Sequence, residues 1–139
     1  MPEPLLPRSS REPTIDDVLG PLGSAVMRIV WQRGEATVGQ TAEAVNASRD
    51  RPLAYTTVMT VMGRLFERGL LERTKLGKHY VYRPVSDEAR MIETISGQAI
   101  DQLISRYGTT ALRQFAHRLA DVDPDLRAQL LELASRRPK

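Results

Sequence analysis

Two helical segments open the patterned part of the chain, which begins at Leu22. In the first segment, apolar residues fall at i, i+4, i+7 and i+8 until Gly34, a residue type that commonly ends helices. The second begins with Thr37 and Gln40, which fit the S/T-x-x-E/Q capping box, and ends near Ser48. Their apolar stripes are Leu22, Val26, Ile29 and Val30 in the first helix and Val38, Ala42 and Val45 in the second.

A third helix is predicted from about Ala54 to Arg68, where Gly69 ends it. On a wheel of ~100° per residue its apolar and polar residues fall on opposite faces. The apolar face consists of Val58, Val61, Met62 and Leu65. The polar face suits close approach to DNA, because a threonine hydroxyl bonds a phosphate or base edge and its methyl contacts thymine. The alternative is that this polar face is simply exposed to solvent and has no role in DNA binding. The candidate DNA contacts are Tyr55, Thr56, Thr57, Thr60 and Arg64.

After Gly69 the pattern changes to that of two strands, residues 70–75 and 79–85, joined by a turn that contains Gly77. Basic residues surround the tip of this predicted hairpin. They are typical of a wing that lies on the phosphate backbone or in the minor groove, although charged hairpin edges also serve solubility. The candidate contacts here are Arg73, Lys75 and Lys78. Three helices followed by a hairpin predict a winged helix-turn-helix domain over residues 21–85.

Residues 86–139 are predicted to be helical, with a break near Gly108 and a new start at Asp123-Pro124. Short helices with one apolar stripe each do not form a core alone, so a second copy is expected to cover them. The alternative is that the stripes fold back on the winged helix. The predicted dimerisation residues are Ile92, Ile95, Ala99, Leu103, Leu112, Phe115, Leu119, Leu126, Leu130 and Leu133.

The fold class is therefore mainly α with a small β-hairpin: a winged helix-turn-helix domain plus a C-terminal helical dimerisation segment. Residues 1–20 contain four of the nine prolines and no sustained apolar period, which predicts a mobile N-terminal tail. Charge agrees with this division. Residues 22–85 carry ten Lys/Arg against five Asp/Glu, whereas residues 86–139 carry eight of each. A basic surplus confined to one half is expected if that half meets phosphates.

Composition also excludes several classes of function. Cysteine is absent, and His79 and His117 have no ligand-like spacing, so neither a metal site nor another cofactor is expected. No catalytic constellation is evident, which argues against an enzyme. No apolar run approaches the ~20 residues of a membrane span, and the N-terminus lacks signal-peptide features. The expected protein is cytoplasmic and not inserted in a membrane.

Four stretches together resemble the penicillinase and methicillin-resistance repressors, the BlaI/MecI-type winged-helix regulators: residues 22–31, 53–65, 68–71 and 80–85. The most specific is Tyr-Thr-Thr-Val-Met-Thr-Val at 55–61, followed by Arg64-Leu65. The resemblance implies a homodimer with interlocked C-terminal helices that binds a palindromic operator and represses antibiotic-resistance or stress-response genes. It also matches Thr56, Thr57 and Thr60 to the operator-facing part of the family's recognition helix.

The signal that ends repression stays open. In antibiotic-resistance members of the family, a membrane sensor-protease triggers cleavage of the dimerisation region, typically at an Asn-Phe bond. Here Phe66 follows Leu65 and Phe115 follows Gln114, so that dipeptide is absent. The cysteine motif of the copper-responsive relatives is absent too. Cleavage by a protease, a ligand at the dimer interface and dilution all remain as ways to end repression. The alternative function for the chain is a winged helix that is used for protein assembly instead of DNA binding.

Overall fold

The computed structural model describes residues 12–121 and 123–135. They form six helices and one antiparallel hairpin within this part of the chain. The chain divides into two compact units at Gly97, and each unit is described by itself below. The elements are α1 (Ile15–Arg33), α2 (Val38–Asn46), α3 (Tyr55–Glu67), β1 (Leu71–Leu76), β2 (His79–Pro84), α4 (Glu88–Tyr107), α5 (Thr109–Leu119) and α6 (Pro124–Ser135).

The first helix begins earlier than the sequence pattern predicted. Thr14 precedes it, and the Thr14 N–H donates to the Asp17 carboxylate over 2.8 Å, as at a capped helix start. Ile15 is fully buried in the core. The interpretation of residues 1–20 as a mobile tail is therefore wrong from Ile15 onward, while residues 1–11 lie outside the described residues.

A kink at Gly20 explains why the period was not visible. Gly20 has φ 77° and ψ 179°, a conformation open to glycine, and Pro21 begins the next helical segment. The helix is therefore interrupted inside α1 at Gly20. The apolar residues before and after the kink do not follow a single helical period, so one helical wheel does not place them on the same face. The first segment is held by one contact to α4 and one contact across the kink. The Ile15 N–H donates to the Glu88 carboxylate over 2.9 Å, and Arg28 pairs with Asp16.

Residues 12–97 form the winged-helix unit and share one hydrophobic core. The Thr37–Gln40 capping box starts α2 as predicted: Gln40 N–H donates to the Thr37 hydroxyl over 3.1 Å, and Thr37 N–H to the Gln40 side chain over 3.0 Å. The chain then returns through α3 and the hairpin to α4. Fully buried apolar residues come mainly from α1, α3, the start of β1 and α4, and they include Ile15, Met27, Val30, Val58, Met62, Leu71 and Met91.

A backbone bridge fixes the hairpin to the helices. Ala36, between α1 and α2, exchanges two hydrogen bonds with Tyr82 of β2, with N···O distances of 3.0 and 2.9 Å. Both residues are buried. The hairpin itself pairs Leu71 with Pro84 at its base and Leu76 with His79 at its tip. Its inner end is thus anchored, and its outer end carries the turn.

The beginning of α4 belongs to the winged-helix unit. Asp87 caps the helix, because its carboxylate accepts from the Arg90 N–H over 2.9 Å. Met91 and Ile95 are buried in the same core as α1, and Ile92 packs against it. Ile95, a predicted dimerisation residue, is therefore already covered by its own chain, and Ile92 shares this environment. The compact unit that contains this core ends at Gly97, whereas the sequence predicts the domain boundary at residue 86.

From residue 98 onward the chain consists of the rest of α4, then α5 and α6. Gly108, with φ 59°, separates α4 from α5, and Asp123 caps α6 through the Asp125 N–H at 3.1 Å. Both breaks were predicted. Among the side chains that the structure describes, no residue from 98 to 135 is buried. The exposed large apolar residues are Ile100, Leu103, Ile104, Tyr107, Leu112, Phe115, Leu131 and Leu133.

Candidate nucleic-acid interface

Helix α3 has two faces of opposite character. Val58, Met62 and Leu65 are buried against the helices before it. Thr57 is half-buried at the border. The exposed face carries Tyr55, Thr56, Met59, Thr60, Arg64 and Glu67. The predicted separation of an apolar and a polar face is confirmed, and DNA contact by the polar face stays a prediction.

The hydroxyl of Thr60 is already oriented. Its Oγ1 donates to the Thr56 carbonyl over 2.9 Å, one turn back along α3. A hydroxyl has only one proton, and here Thr60 uses it in this bond. Toward solvent the Thr60 oxygen can therefore accept hydrogen bonds but has no proton left to donate. The base-edge groups that suit it are the amino groups of cytosine and adenine, and its methyl suits that of thymine.

Met59 lies on the same exposed face, with 45% of its surface accessible, close to that of Tyr55 at 49%. The sequence candidates omit Met59, because methionine is ordinarily a core residue. Its wheel position beside Thr56 was the signal that could have found it. The exposed face of α3 therefore combines hydroxyl groups with two large, partly apolar side chains.

The turn between α2 and α3 is closed by one side chain. Asn46, the last residue of α2, donates from Nδ2 to the Leu53 carbonyl over 3.0 Å and accepts from the Leu53 N–H over 2.7 Å. This pair of bonds fixes the start of α3 relative to α2. Asn46 was not among the predicted residues, since an amide side chain near a helix end has no specific pattern. Arg49 and Arg51 are exposed on the same turn.

The hairpin tip presents the two predicted lysines to solvent. Gly77 and Lys78 form a two-residue turn, in which Gly77 has φ 63°, as the first position of a type II′ turn requires. Lys75 and Lys78 are both exposed. Their charges extend beyond the anchored base of the hairpin, where a phosphate could reach them.

The outer face of the hairpin is less basic than its sequence suggests. Arg83 lies 3.6 Å from the Glu72 carboxylate and 3.7 Å from that of Glu35. It also donates to the Thr74 hydroxyl over 2.8 Å. The charge of Arg83 is therefore compensated by acids of its own chain, and the basic character of the wing is concentrated at its tip.

Arg73 occupies a different environment from the lysines. Its side chain is half-buried, and its guanidinium lies 4.0 Å from the centre of the Phe66 ring and 4.1 Å from that of Tyr80. The structure thus places this predicted DNA contact between α3 and β2 instead of at the tip of the wing.

The predicted dimerisation residues divide by exposure. Ile95 is buried and Ile92 is half-buried in the winged-helix unit. Of the others, Leu119, Leu126 and Leu130 are half-buried. The exposed ones are Ala99, Leu103, Leu112, Phe115 and Leu133. Along α4, four exposed apolar residues fall at i, i+3, i+4 and i+7 from Ile100, which is one continuous stripe.

Three helices, an anchored hairpin and an exposed face on the third helix define the class of winged-helix DNA-binding regulators. The penicillinase repressor family model matches residues 19–136. The transcriptional regulator BlaI of Mycobacterium tuberculosis, in strains CDC 1551 / Oshkosh and ATCC 25618 / H37Rv, is 39% identical over 121 residues, which are 83% of this chain and 84% of that protein. The chain belongs to the penicillinase repressor family.

Two solved structures are also similar. The solution structure of the DNA-binding domain of the repressor BlaI matches with a TM-score of 0.44 and 24% identity, over 49% of this chain and 80% of that one. The crystal structure of the transcriptional regulator PA4135 matches with a TM-score of 0.42 and 20% identity, over 84% and 78%.

Family membership confirms three predictions: the BlaI/MecI-type resemblance, the class of DNA-binding transcriptional repressor, and the assignment to regulators instead of enzymes. No helix in the described part of the chain combines the length and apolar character that a membrane span requires. Over residues 12–121 and 123–135, no three His, Cys, Asp or Glu side chains group as metal ligands would.

Proposed function

We propose that the chain works as a homodimeric repressor that recognises a palindromic operator. Helix α3 of each copy enters the major groove, and the wing tip lies on the neighbouring phosphates. The observation that carries this proposal is the exposed polar face of α3, with Thr56, Thr60 and Arg64, together with the exposed Lys75 and Lys78 at the hairpin tip. The names of the curated relatives as BlaI regulators support it.

The chemistry divides between the two elements. The hydroxyls and methyls of α3 supply direct contacts to base edges, which carry sequence information. The lysines of the wing supply contacts to phosphates, which carry affinity and make it depend on salt. If Arg64, Lys75 and Lys78 each neutralise one phosphate in both copies, the slope of log affinity against log salt concentration should be about −5.

The operator-reading role is tested with the protein and its own promoter DNA. Affinity is measured by fluorescence anisotropy against salt, with random DNA as competitor. We expect a double Thr56→Ala and Thr60→Ala variant to lose specific affinity by about tenfold or more, while binding to random DNA changes little.

Thr94→Ala is the matched control for Thr60→Ala. Thr94 is exposed on α4, and its hydroxyl donates to the Arg90 carbonyl over 3.1 Å, the same bond that Thr60 makes to Thr56. Both substitutions remove that bond and a β-branch, so a difference in DNA affinity reports the surroundings of Thr60. Operator affinity that is unaffected by the Thr56/Thr60 double variant would favour the protein-assembly alternative.

The homodimer is supported by the exposed apolar stripes of residues 98–135. Apolar side chains as exposed as Leu103 of α4, at 51%, and Phe115 of α5, at 57%, are expected to be covered by another surface. A second copy of the same chain offers a matching stripe through twofold symmetry. A palindromic operator would then reflect the symmetry of the dimer.

Sedimentation analysis tests the dimer. Leu103→Asp should place a charge in the stripe and shift the protein toward monomer, because a buried carboxylate without a partner is strongly unfavourable. Ser105→Asp is the control, since Ser105 is exposed on the opposite side of α4. A wild-type monomer at micromolar concentration, or equal effects of the two variants, would contradict the proposal.

A further inference from the structure

The guanidinium of Arg73 lies inside a cage of three aromatic rings. Its central carbon is 4.0 Å from the Phe66 ring centre, 4.1 Å from that of Tyr80 and 5.9 Å from that of Tyr82. One of its N–H groups donates to the Tyr82 hydroxyl over 3.3 Å. Distances of this size are those of cation–π stacking, which the planar guanidinium makes better than a lysine ammonium.

The cage joins two elements that are not adjacent in sequence. Phe66 lies near the end of α3, whereas Tyr80 and Tyr82 lie on β2, and Arg73 reaches both from β1. Register explains the arrangement. Arg73 pairs directly with Tyr82, and Tyr80 is its diagonal neighbour on the same face of the hairpin. Arg73 therefore connects the candidate recognition helix to the wing between the buried base of the hairpin and its exposed tip.

We infer that Arg73 is a positioning residue, which holds the wing at a fixed angle to α3 and so places Lys75 and Lys78 for phosphate contact. This assignment rests on the proposed function. It replaces the prediction that Arg73 itself binds DNA. Its guanidinium lies about one van der Waals contact from the rings of both Phe66 and Tyr80, and one N–H is bonded within the protein.

Lys75 provides a matched comparison. It lies two residues closer to the tip, on the same face of the same strand, and it is exposed. Removing a lysine that neutralises a phosphate makes the slope of log affinity against log salt concentration less steep by about 0.9. Removing a positioning residue lowers the affinity but leaves the number of released counterions, and so the slope, unchanged. The salt dependence of binding therefore distinguishes the two roles.

The experiment measures operator affinity against salt for Arg73→Gln, Arg73→Lys, Phe66→Leu and Lys75→Gln. We expect both Arg73 variants and Phe66→Leu to bind about tenfold more weakly than wild type with a slope changed by less than about half a unit. Lys75→Gln should lower the slope by about 0.9 for each phosphate that is no longer neutralised. The combination of Phe66→Leu with Arg73→Gln should cost little more than either alone, since both remove one interaction.

Two results would overturn the inference. One is Arg73→Lys with wild-type affinity, which would show that charge suffices. The other is Arg73→Gln with the reduced slope of Lys75→Gln, which would make Arg73 a phosphate ligand.

A measurement without DNA separates this inference from the proposed function. Hydrogen exchange of the hairpin amides should be several-fold faster in Arg73→Gln and Phe66→Leu than in wild type, and unchanged in Lys75→Gln. Unaltered exchange in the Arg73 and Phe66 variants would refute the positioning role even if the protein bound no operator. Failure of wild-type operator binding alone would instead refute the proposed function.

Discussion

In residues 12–97, the apolar stripes of three helices, the base of a hairpin and the first turns of α4 close on one core. In the described residues from 98 onward, helices with comparable stripes leave eight large apolar side chains exposed and bury none. Helix α4 shows the difference within one element: Ile95 is 5% exposed and Ile104 is 40% exposed. Apolar periodicity identifies a face that must be covered, and it does not identify whether the cover comes from the same chain.

The largest expected effect compares these two isoleucines. Ile95→Ala should lower the free energy of unfolding by about 2–5 kcal/mol at every protein concentration, because it opens a cavity in the winged-helix core. Ile104→Ala should leave the unfolding of the monomer nearly unchanged and weaken self-association by about tenfold or more. Chemical denaturation at several protein concentrations, together with sedimentation, measures both quantities.

Those two variants also provide the result that would break the comparison. If Ile104→Ala lowered the free energy of unfolding by as much as Ile95→Ala under monomeric conditions, the stripe of α4 would be packed within its own chain. The two regions would then not differ in kind.

A smaller effect is expected at the helix starts. The Thr37 hydroxyl accepts from the Gln40 N–H over 3.1 Å, whereas Gly108 at the start of α5 provides no side-chain cap. Thr37→Ala should therefore lower the free energy of unfolding by about 1 kcal/mol. Thr110→Ala, at an exposed position in the first turn of α5, is the control and should cost nothing, because alanine has the higher helix propensity. Denaturant titration followed by circular dichroism measures the pair, and equal losses would be inconsistent with a cap-dependent core unit.

Local patterns predicted much of the winged helix. The Thr37–Gln40 capping box, the two faces of α3 and the Gly77 turn each depend on residues within a few positions of one another, so the sequence determines them directly. The same holds for the break at Gly108 and the cap at Asp123.

Features that depend on tertiary contacts were missed or misassigned. The Gly20 kink interrupts the apolar period, so Ile15 could not be connected with the stripe of α1. Ile95 followed the same period as the exposed residues after it, and only the packing of α4 distinguishes them. The cage of Arg73 requires Phe66 and Tyr80 to approach from separate elements, and a basic residue in a hairpin gives no sign of that.

The smallest expected effect concerns the N-terminal segment of α1, which sequence periodicity assigned to a tail. Hydrogen bonds from Arg28, and secondarily from Ser24, hold the pKa of the Asp16 carboxyl at about 2, below its ordinary value of 3.8. A carboxyl whose pKa is lower in the folded state stabilises the fold above pH ~4, where it is ionised in both states. That contribution is lost as the pH falls toward 2.

Asp16→Asn should therefore be slightly less stable than wild type at neutral pH, and the difference should shrink as the pH falls from about 4 to 2. Asp50→Asn, on the exposed turn between α2 and α3, is the control for removal of a surface carboxylate. Thermal unfolding followed across this pH range checks the prediction. A difference between wild type and Asp16→Asn that stayed constant down to pH 2 would mean that the Asp16–Arg28 pair does not help to hold the first segment of α1 on the winged-helix core.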